Sequence, residues 1–461
     1  MRIYQKLVRN IFYPLALRRS GDGDQLRWLR EFERTQHLPP DELRRLQFCR
    51  LSALLSHAHA RCPFYSERFD RVGFRPENVR TLEDLARLPV LEKSDLQRHS
   101  ADMVARNWPK DDLVPNQTGG STGTPVSFFL SKDRLRSRAA ATLRHNRWAG
   151  WDVGDRVAVL WGAPRDAPRT DWRARLRRAL LREPLWLDTA NVTEESLDAF
   201  YKQLQRFRPR VLQAYARSVL LFAQYLEQRR LRPYRPHSIV TSAEVLEPAE
   251  RALVERVFGC PVFNRYGCRE VSVIASECDA HQGLHVMAEG LLVEIVKGDR
   301  PAKPGEMGSI LVTDLLNHAM PLIRYRIGDV GAWEEGTCPC GRALPRLRSV
   351  QGRVTDFLVG SDGRLVSGVF LATYVVAHRP SLGQVQIHQD RAGEVLYRIR
   401  PGHDFAAMDD LAYLENTSRQ YLGDGVTVRW ELVEELPCEP SGKFLFSRST
   451  VTPAFLQAVS S

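Results

Sequence analysis

The run Thr118-Gly119-Gly120-Ser121-Thr122-Gly123-Thr124-Pro125 has the makings of a loop that wraps phosphates. Its glycines let the main chain approach a ligand closely. Backbone N–H groups in such a turn converge on an anion, and the hydroxyls of Ser121, Thr122 and Thr124 add donors that rotate to suit its oxygens. The spacing lacks the G-x-x-x-x-G-K-[ST] pattern, which excludes the P-loop nucleotide hydrolases. Taken alone, the cluster also describes a plain surface loop. A second constellation is Cys278, His285, Cys338 and Cys340. Thiolate and imidazole are the donors Zn²⁺ prefers, and four of them close a tetrahedral structural site. His281 competes for the fourth place, and reduced thiols in ordinary packing are the alternative. Residues 165–182 carry Arg165, Arg169, Arg173, Arg175, Arg177, Arg178 and Arg182. They read first as a solvated helix face, and second as a docking surface for an anionic substrate or lipid.

The elements around these groups alternate. Residues 22–110 read as helical, with Leu43, Leu46, Leu51, Leu54 and Leu55 near helical spacing, a break at Pro63, and a Thr-capped helix starting at Thr81. A strand from Val126 to Leu130 follows the glycine loop, so a β-turn-β unit closes over a ligand. Helices are expected over Asp133–Trp148, Glu194–Leu204 and Ser218–Gln228, and strands over Arg156–Trp161, Ser238–Ser242 and Val262–Asn264. That alternation predicts an α/β body with much parallel pairing. From Gly283 the pattern turns to β, and Gln351-Gly352-Arg353 marks the best domain boundary. The expected fold is a large α/β, multi-subdomain unit over 1–352, helical over 1–110, with mixed sheets. A small mobile α+β domain follows over 353–461, with strands near 356–359, 384–388 and 426–433 and helices near 368–377 and 407–421.

With 461 residues, 43% hydrophobic and 26% charged, the chain is a globular protein of more than one domain. The net charge of +11 suits an anionic substrate, a nucleotide, a membrane surface or nucleic acid. No helix-turn-helix, finger or RNP signature supports nucleic acid. Eight cysteines in a chain this long are no disulfide framework, so a reducing, cytoplasmic setting is expected. The start of the chain is basic, with an apolar run Ile11–Leu17 too short to span a bilayer and no cleavage site after it. With Lys6, Arg9, Arg18 and Arg19 around Ile11, Phe12 and Leu15, it reads as an amphipathic helix docked on its own domain; peripheral contact with an anionic membrane is the alternative.

Five motifs then occur in a telling order: TGGSTGTP at 118–125, RYGCRE at 265–270, YRIGD at 325–329, GRVTD at 352–356 and PSGK at 440–443. With CPFYSERF at 62–69, GWDVGDR at 150–156, Thr241-Ser242-Ala243-Glu244 and CPCGRALPR, the chain resembles the adenylate-forming enzymes, within them the phenylacetate–CoA ligase family and its capsule-biosynthesis (CapK-type) branch. The resemblance covers nearly the whole chain. It implies an active site between a large and a small mobile domain. There a carboxylate attacks the α-phosphorus of ATP, leaving an acyl-adenylate and pyrophosphate, and the acyl group then passes to the thiol of CoA. It implies that Thr118, Gly119, Gly120, Ser121, Thr122, Gly123 and Thr124 hold the β- and γ-phosphates. Glu244, Tyr266 and Gly267 belong to the nucleotide site, with the Tyr266 ring on adenine. Glu270 is the Mg²⁺ ligand, an anionic oxygen for a hard cation. Asp329 takes the ribose hydroxyls and Arg353 approaches the same sugar. Lys443 bridges carboxylate and α-phosphate, entering and leaving with the small domain. A homodimer is also implied, and zinc-containing members carry residues like the Cys278 set.

Two positions depart from the pattern. The hinge acid is replaced by Thr355, with Asp356 next, and Leu358–Arg364 lacks the Arg-Gly loop that helps form the thiol channel of the CoA ligases. Adenylation is untouched by the second departure, but an amine acceptor, giving an amide in polysaccharide or secondary-metabolite synthesis, becomes the alternative. A non-catalytic nucleotide-binding member is the other reading, and the joint presence of Lys443, Glu270 and Asp329 speaks against it.

Overall fold

The chain opens with α1 (Arg2–Leu7), a π turn (Val8–Phe12) and α2 (Tyr13–Ser20), followed by α3 (Asp24–Thr35), α4 (Pro40–Arg61), α5 (Pro63–Arg71) and α6 (Lys93–Met103). The computed structural model describes residues 2–117, 127–161, 184–189, 192–298, 300–351, 354–355, 357–436 and 445–451. Among them no helix is long and apolar enough to cross a membrane. Helix α4 buries Leu43, Gln47, Leu51, Leu54, Leu55 and Ala58, the stripe that its leucine spacing predicts except at Leu46, which is only half-buried because Gln47 takes the inward place beside it. Pro63 ends that helix and opens the next, because the first helical position has no use for an N–H. The expected Thr81 cap is replaced by the reverse arrangement. Residues Glu83–Arg87 form a 3₁₀ turn, and the Asp84 carboxylate accepts the N–H groups of Arg80 and Thr81 at 2.8 and 2.9 Å.

Strands β1 (Leu113–Gln117) and β2 (Ser127–Ser131) pair antiparallel, with Gln117 opposite Ser127. They are the two sides expected around the glycine loop; residues 118–126 themselves lie outside the described residues. Helix α7 (Lys132–Trp148) starts at once, capped by the Ser131 hydroxyl, which accepts the Arg134 N–H at 3.0 Å.

The next stretch holds β3 (Val157–Trp161), β4 (Leu185–Asp188), α8 (Glu194–Phe207), β5 (Val211–Tyr215), α9 (Ala216–Gln228), β6 (Ser238–Ser242), α10 (Pro248–Phe258) and β7 (Val262–Cys268). The strands lie parallel in the order β4-β3-β5-β6-β7. Strand β7 is a seam. Its first residues pair parallel with β6, and Arg265–Cys268 pair antiparallel with β8 (Ser272–Glu277). Strands β9 (Leu284–Val286), β10 (Leu291–Lys297), β11 (Arg300–Pro301), β12 (Gly308–Asp314), β13 (Tyr325–Trp333) and β14 (Arg346–Gln351) extend the sheet antiparallel to twelve strands.

A separate five-stranded sheet, order β15-β21-β18-β19-β20, is built from β15 (Val354–Thr355), β18 (Gln384–Gln389), β19 (Glu394–Arg400), β20 (Thr427–Leu432) and β21 (Leu445–Ser449). Before β18 come the hairpin β16 (Phe357–Val359) and β17 (Leu365–Ser367) and a helical run to His378 that is broken into α, π and 3₁₀ turns, where one helix was expected. Helix α11 (Ala407–Leu422) buries Leu414 and Leu422 in the same core. The hairpin is two-faced. Leu358 and Val366 join the small-sheet core, whereas Val359 and Leu365 join the core around α8 and α9. Val192 and Leu365 exchange backbone hydrogen bonds of 2.8 and 2.6 Å across that contact.

Candidate active site

The RYGCRE run lies where the sheet changes from parallel to antiparallel, at the carboxyl ends of the parallel strands, the usual place for a ligand crevice in an open α/β sheet. Two side-chain pairs link the β7–β8 turn to β13. The Tyr266 hydroxyl donates to Asp329 Oδ2 at 2.8 Å, and the Tyr325 hydroxyl donates to Glu270 Oε1 at 3.0 Å. Burial, and then the Asp329 charge, hold the Tyr266 hydroxyl well above its ordinary pKa, so it stays a donor. The Cys268 thiol is likewise pushed up by burial and by Glu270. Tyr266, Gly267, Glu270 and Asp329 are thus brought together.

Glu244 lies at the end of β6, after Ala243 at φ +72°. It is buried and accepts the Arg217 N–H at 2.9 Å. Tyr215 and Trp161, at the ends of β5 and β3, face each other with ring centroids 4.0 Å apart.

Two glycines explain why the motifs read as they do. A Cβ on Gly267 would lie 2.3 Å from the Ser272 carbonyl oxygen, so the hairpin can close only without one. In β13 the pairing steps from Arg326 opposite Leu311 to Val330 opposite Ser309, so Ile327, Gly328 and Asp329 form a bulge against Ile310. Gly328, at φ +96°, makes that bulge, and the bulge aims Asp329 at Tyr266. Gly267→Ala is expected to cost about 1–3 kcal/mol by overpacking and to weaken nucleotide binding by displacing Tyr266. A urea midpoint and an ATP titration check both, and an unchanged midpoint would contradict the close approach.

Helix α7 braces the turn from below. Buried Arg134 donates to the Val271 carbonyl at 3.2 Å and to Asp314 at 2.7 Å, and Arg138 donates to the Arg269 carbonyl. One further nitrogen of Arg138, Nη1, is buried with no partner among the described residues. Tyr325, Arg134 and Arg138 were not anticipated from the sequence. Tyr325 opens the YRIGD motif and could have been suspected from that alone; the two arginines looked like part of a solvated basic helix. Thr118, Gly119, Gly120, Ser121, Thr122, Gly123, Thr124, Arg353, Asp356, Lys443 and the arginines of 165–182 lie outside the described residues. The strands that follow Arg353 and Lys443, β15 and β21, pair in parallel, Val354 with Leu445.

On the antiparallel side, one ligand atom from each of Cys278, His285, Cys338 and Cys340 lies within 4.8 Å of every other. The Cys278 and Cys338 sulfurs are 3.6 Å apart, and Cys340 Sγ is 3.3 Å from His285 Nε2. The edges of a tetrahedron around Zn²⁺ with Zn–S of about 2.3 Å are of similar length. His285 Nδ1 lies 3.2 Å from the Leu344 carbonyl, a contact that orients Nε2 as the ligand atom. Burial first, then nearby arginines, lower His285 to about 4, which keeps the ring neutral. The donor set fits Zn²⁺. His281, the competing ligand, instead lies 3.2 Å from Glu277 and 2.9 Å from Arg251.

A family model described as the CapK C-terminal domain matches residues 358–449. The phenylacetate–coenzyme A ligase of Thermus thermophilus is 29% identical over 334 residues, covering 70% of this chain and 73% of that protein. Protein CapK of Staphylococcus aureus is 23% identical over 434 residues, covering 89% and 92%. Among solved structures, 2-hydroxyisobutyryl-CoA ligase in its thioesterification state matches with a TM-score of 0.63 at 21% identity, covering 91% of this chain and 92% of that one. The last likeness shows the fold; with the first three and the motif order, the chain is similar to the phenylacetate–CoA ligases of the adenylate-forming proteins and, over residues 358–449, to their CapK-type branch.

Proposed function

We propose that the protein activates a carboxylic acid with ATP, forming an acyl-adenylate and pyrophosphate, and passes the acyl group to the thiol of CoA. The observation that carries this reading is the double link of Tyr266 to Asp329 and Glu270 to Tyr325, which gathers a flat aromatic face and two carboxyl groups at the strand ends. In this reading the loop of Thr118–Thr124 holds the outer phosphates, and Glu244, Tyr266 and Gly267 hold adenine. Asp329 and Arg353 hold the ribose, and Glu270 would hold Mg²⁺, which neutralises charge on the phosphates. Lys443 bridges the carboxylate and the α-phosphate where charge builds. Arg353 and Lys443 belong to the small domain of this reading, 353–461, which turns about Thr355 or Asp356.

The names of relatives, phenylacetate–coenzyme A ligase and 2-hydroxyisobutyryl-CoA ligase, support the thiol acceptor. An amine acceptor is favoured by one feature: Arg364, the cation of the turn that stands where the CoA ligases carry an Arg-Gly loop, is held by Asp362. The resemblance also supports a homodimer, and the free state of the described cysteines supports a reducing, cytoplasmic setting. The test is pyrophosphate release from ATP and Mg²⁺ across aryl, fatty, amino and uronic acids, followed by CoA or amines with the acid that works. Acid-dependent release is the expected result. Tight ATP binding with no release from any acid would put the non-catalytic reading first.

The Cys278, His285, Cys338 and Cys340 set is proposed to hold one structural Zn²⁺, tying the β8–β9 segment to the knuckle before β14. Purified protein is expected to contain one zinc per chain by elemental analysis. Removing it, or Cys338→Ser, is expected to lower the melting temperature by several degrees or more. Full stability in metal-free protein would contradict the site.

A further inference from the structure

The described residues expose nine large apolar side chains to a substantial degree, and five of them lie on the first helical segment: Ile3, Leu7, Ile11, Phe12 and Leu15, between 38% and 77% exposed. The segment is docked on its own domain by its other side, as its sequence led one to expect. Val8 is fully buried, and a Cβ on Gly154 would lie 3.2 Å from Val8 Cβ. Gln5 donates to Asp155 at 2.7 Å, Arg9 pairs with Asp152 at 3.0 Å, and Gln25 donates to the Tyr13 hydroxyl at 2.6 Å. The GWDVGDR run is therefore the seat of this helix.

The exposed residues 3, 7, 11 and 15 are four apart. In a regular α-helix such a series drifts about 40° round the axis at each step, or about 120° in all. The π turn at Val8–Phe12 has more residues per turn and reverses the drift between Leu7 and Ile11, which keeps the stripe on one side. The basic residues of this segment are Arg2, Lys6, Arg9, Arg18 and Arg19, and it has no acid. Lys6, Arg18 and Arg19 are exposed. A second copy of the chain would set cations against cations across a self-complementary contact. An anionic lipid surface complements both the stripe and its charges.

We propose that the segment Arg2–Ser20 is a membrane-docking face: Ile3, Leu7, Ile11, Phe12 and Leu15 enter the interface of an anionic bilayer while Lys6, Arg18 and Arg19 meet its headgroups. This places the protein on the bilayer surface without spanning it, and it stands independently of the reaction proposed above.

The test is co-sedimentation of the full chain with phosphatidylcholine vesicles, with and without about a third phosphatidylglycerol. Binding to the anionic vesicles, well above that to neutral ones, is expected. The Leu7→Asp/Ile11→Asp variant is expected to lose at least about tenfold in partitioning. Lys6→Glu/Arg18→Glu/Arg19→Glu is expected to lose on the order of a hundredfold. These side chains are exposed, so melting temperatures should stay near that of the parent and show that the variants fold. Equal binding to neutral and anionic vesicles, or unchanged binding of the aspartate variant, would overturn the proposal. So would a shift from dimer to monomer in the aspartate variant without vesicles, which would assign the stripe to a second copy.

Discussion

Lys443→Ala is expected to lower kcat/KM for adenylation by about 10²–10³-fold, the usual loss when one donor aimed at developing charge is removed. As carboxylate oxygen approaches the α-phosphorus, two anionic groups must come into contact. A compact ammonium on a long arm lowers that barrier and has no substitute among the nucleotide-binding residues. ATP affinity should change little, because the groups assigned to adenine, ribose and metal are Tyr266, Asp329 and Glu270. Supplying preformed acyl-adenylate should separate the two half-reactions, with thioester formation largely retained, because in the proposed reading the lysine withdraws with the small domain after the first step. Equal loss in both half-reactions would contradict the assignment and point to a folding defect.

Glu289→Ala is expected to destabilise the protein by about 3–5 kcal/mol, a large part of the stability of an ordinary domain. Glu289 is fully buried and accepts from Arg144 and, at 3.1 Å, from the Thr35 hydroxyl. Arg144 also donates to the Phe32 carbonyl at 2.9 Å, and its guanidinium lies 5.3 Å from the ring centres of Phe32 and Trp148. The pair ties α3 and α7 to the start of β10. Removing only the acid strands a charge among rings and backbone, whereas Arg144→Met with Glu289→Met should recover much of the loss. The urea midpoint reads the effect at unchanged slope. A loss under about 1 kcal/mol would mean that water reaches the pair.

Much of this architecture is legible in the chain, because local chemistry writes it. Leucine spacing marks most of α4, β-branched runs mark β6 and β10, and the glycines of RYG and YRIGD mark places where only glycine fits. The zinc-type donors were visible too, since Cys and His rarely gather without reason. What was not legible is what distant segments bring to each other. Arg134 and Arg144 look like two more cations on a basic helix; each is buried by an acid far along the chain, Asp314 and Glu289. Tyr325 holds Glu270 through a contact between β13 and the turn of two strands that are not its neighbours in the sheet. Strand β19 alternates buried and open residues, but its arginines and glutamate mask the pattern in the sequence. Strand β21 is defined by its parallel partners, β15 and β18, which no local pattern announces.

The central claim, attack of a carboxylate on the α-phosphorus of ATP, is tested most directly by isotope transfer. With the active acid labelled with ¹⁸O in its carboxylate, a completed turnover should leave one labelled oxygen in AMP and none in pyrophosphate. Unlabelled AMP, or ADP and phosphate in place of AMP and pyrophosphate, would contradict it.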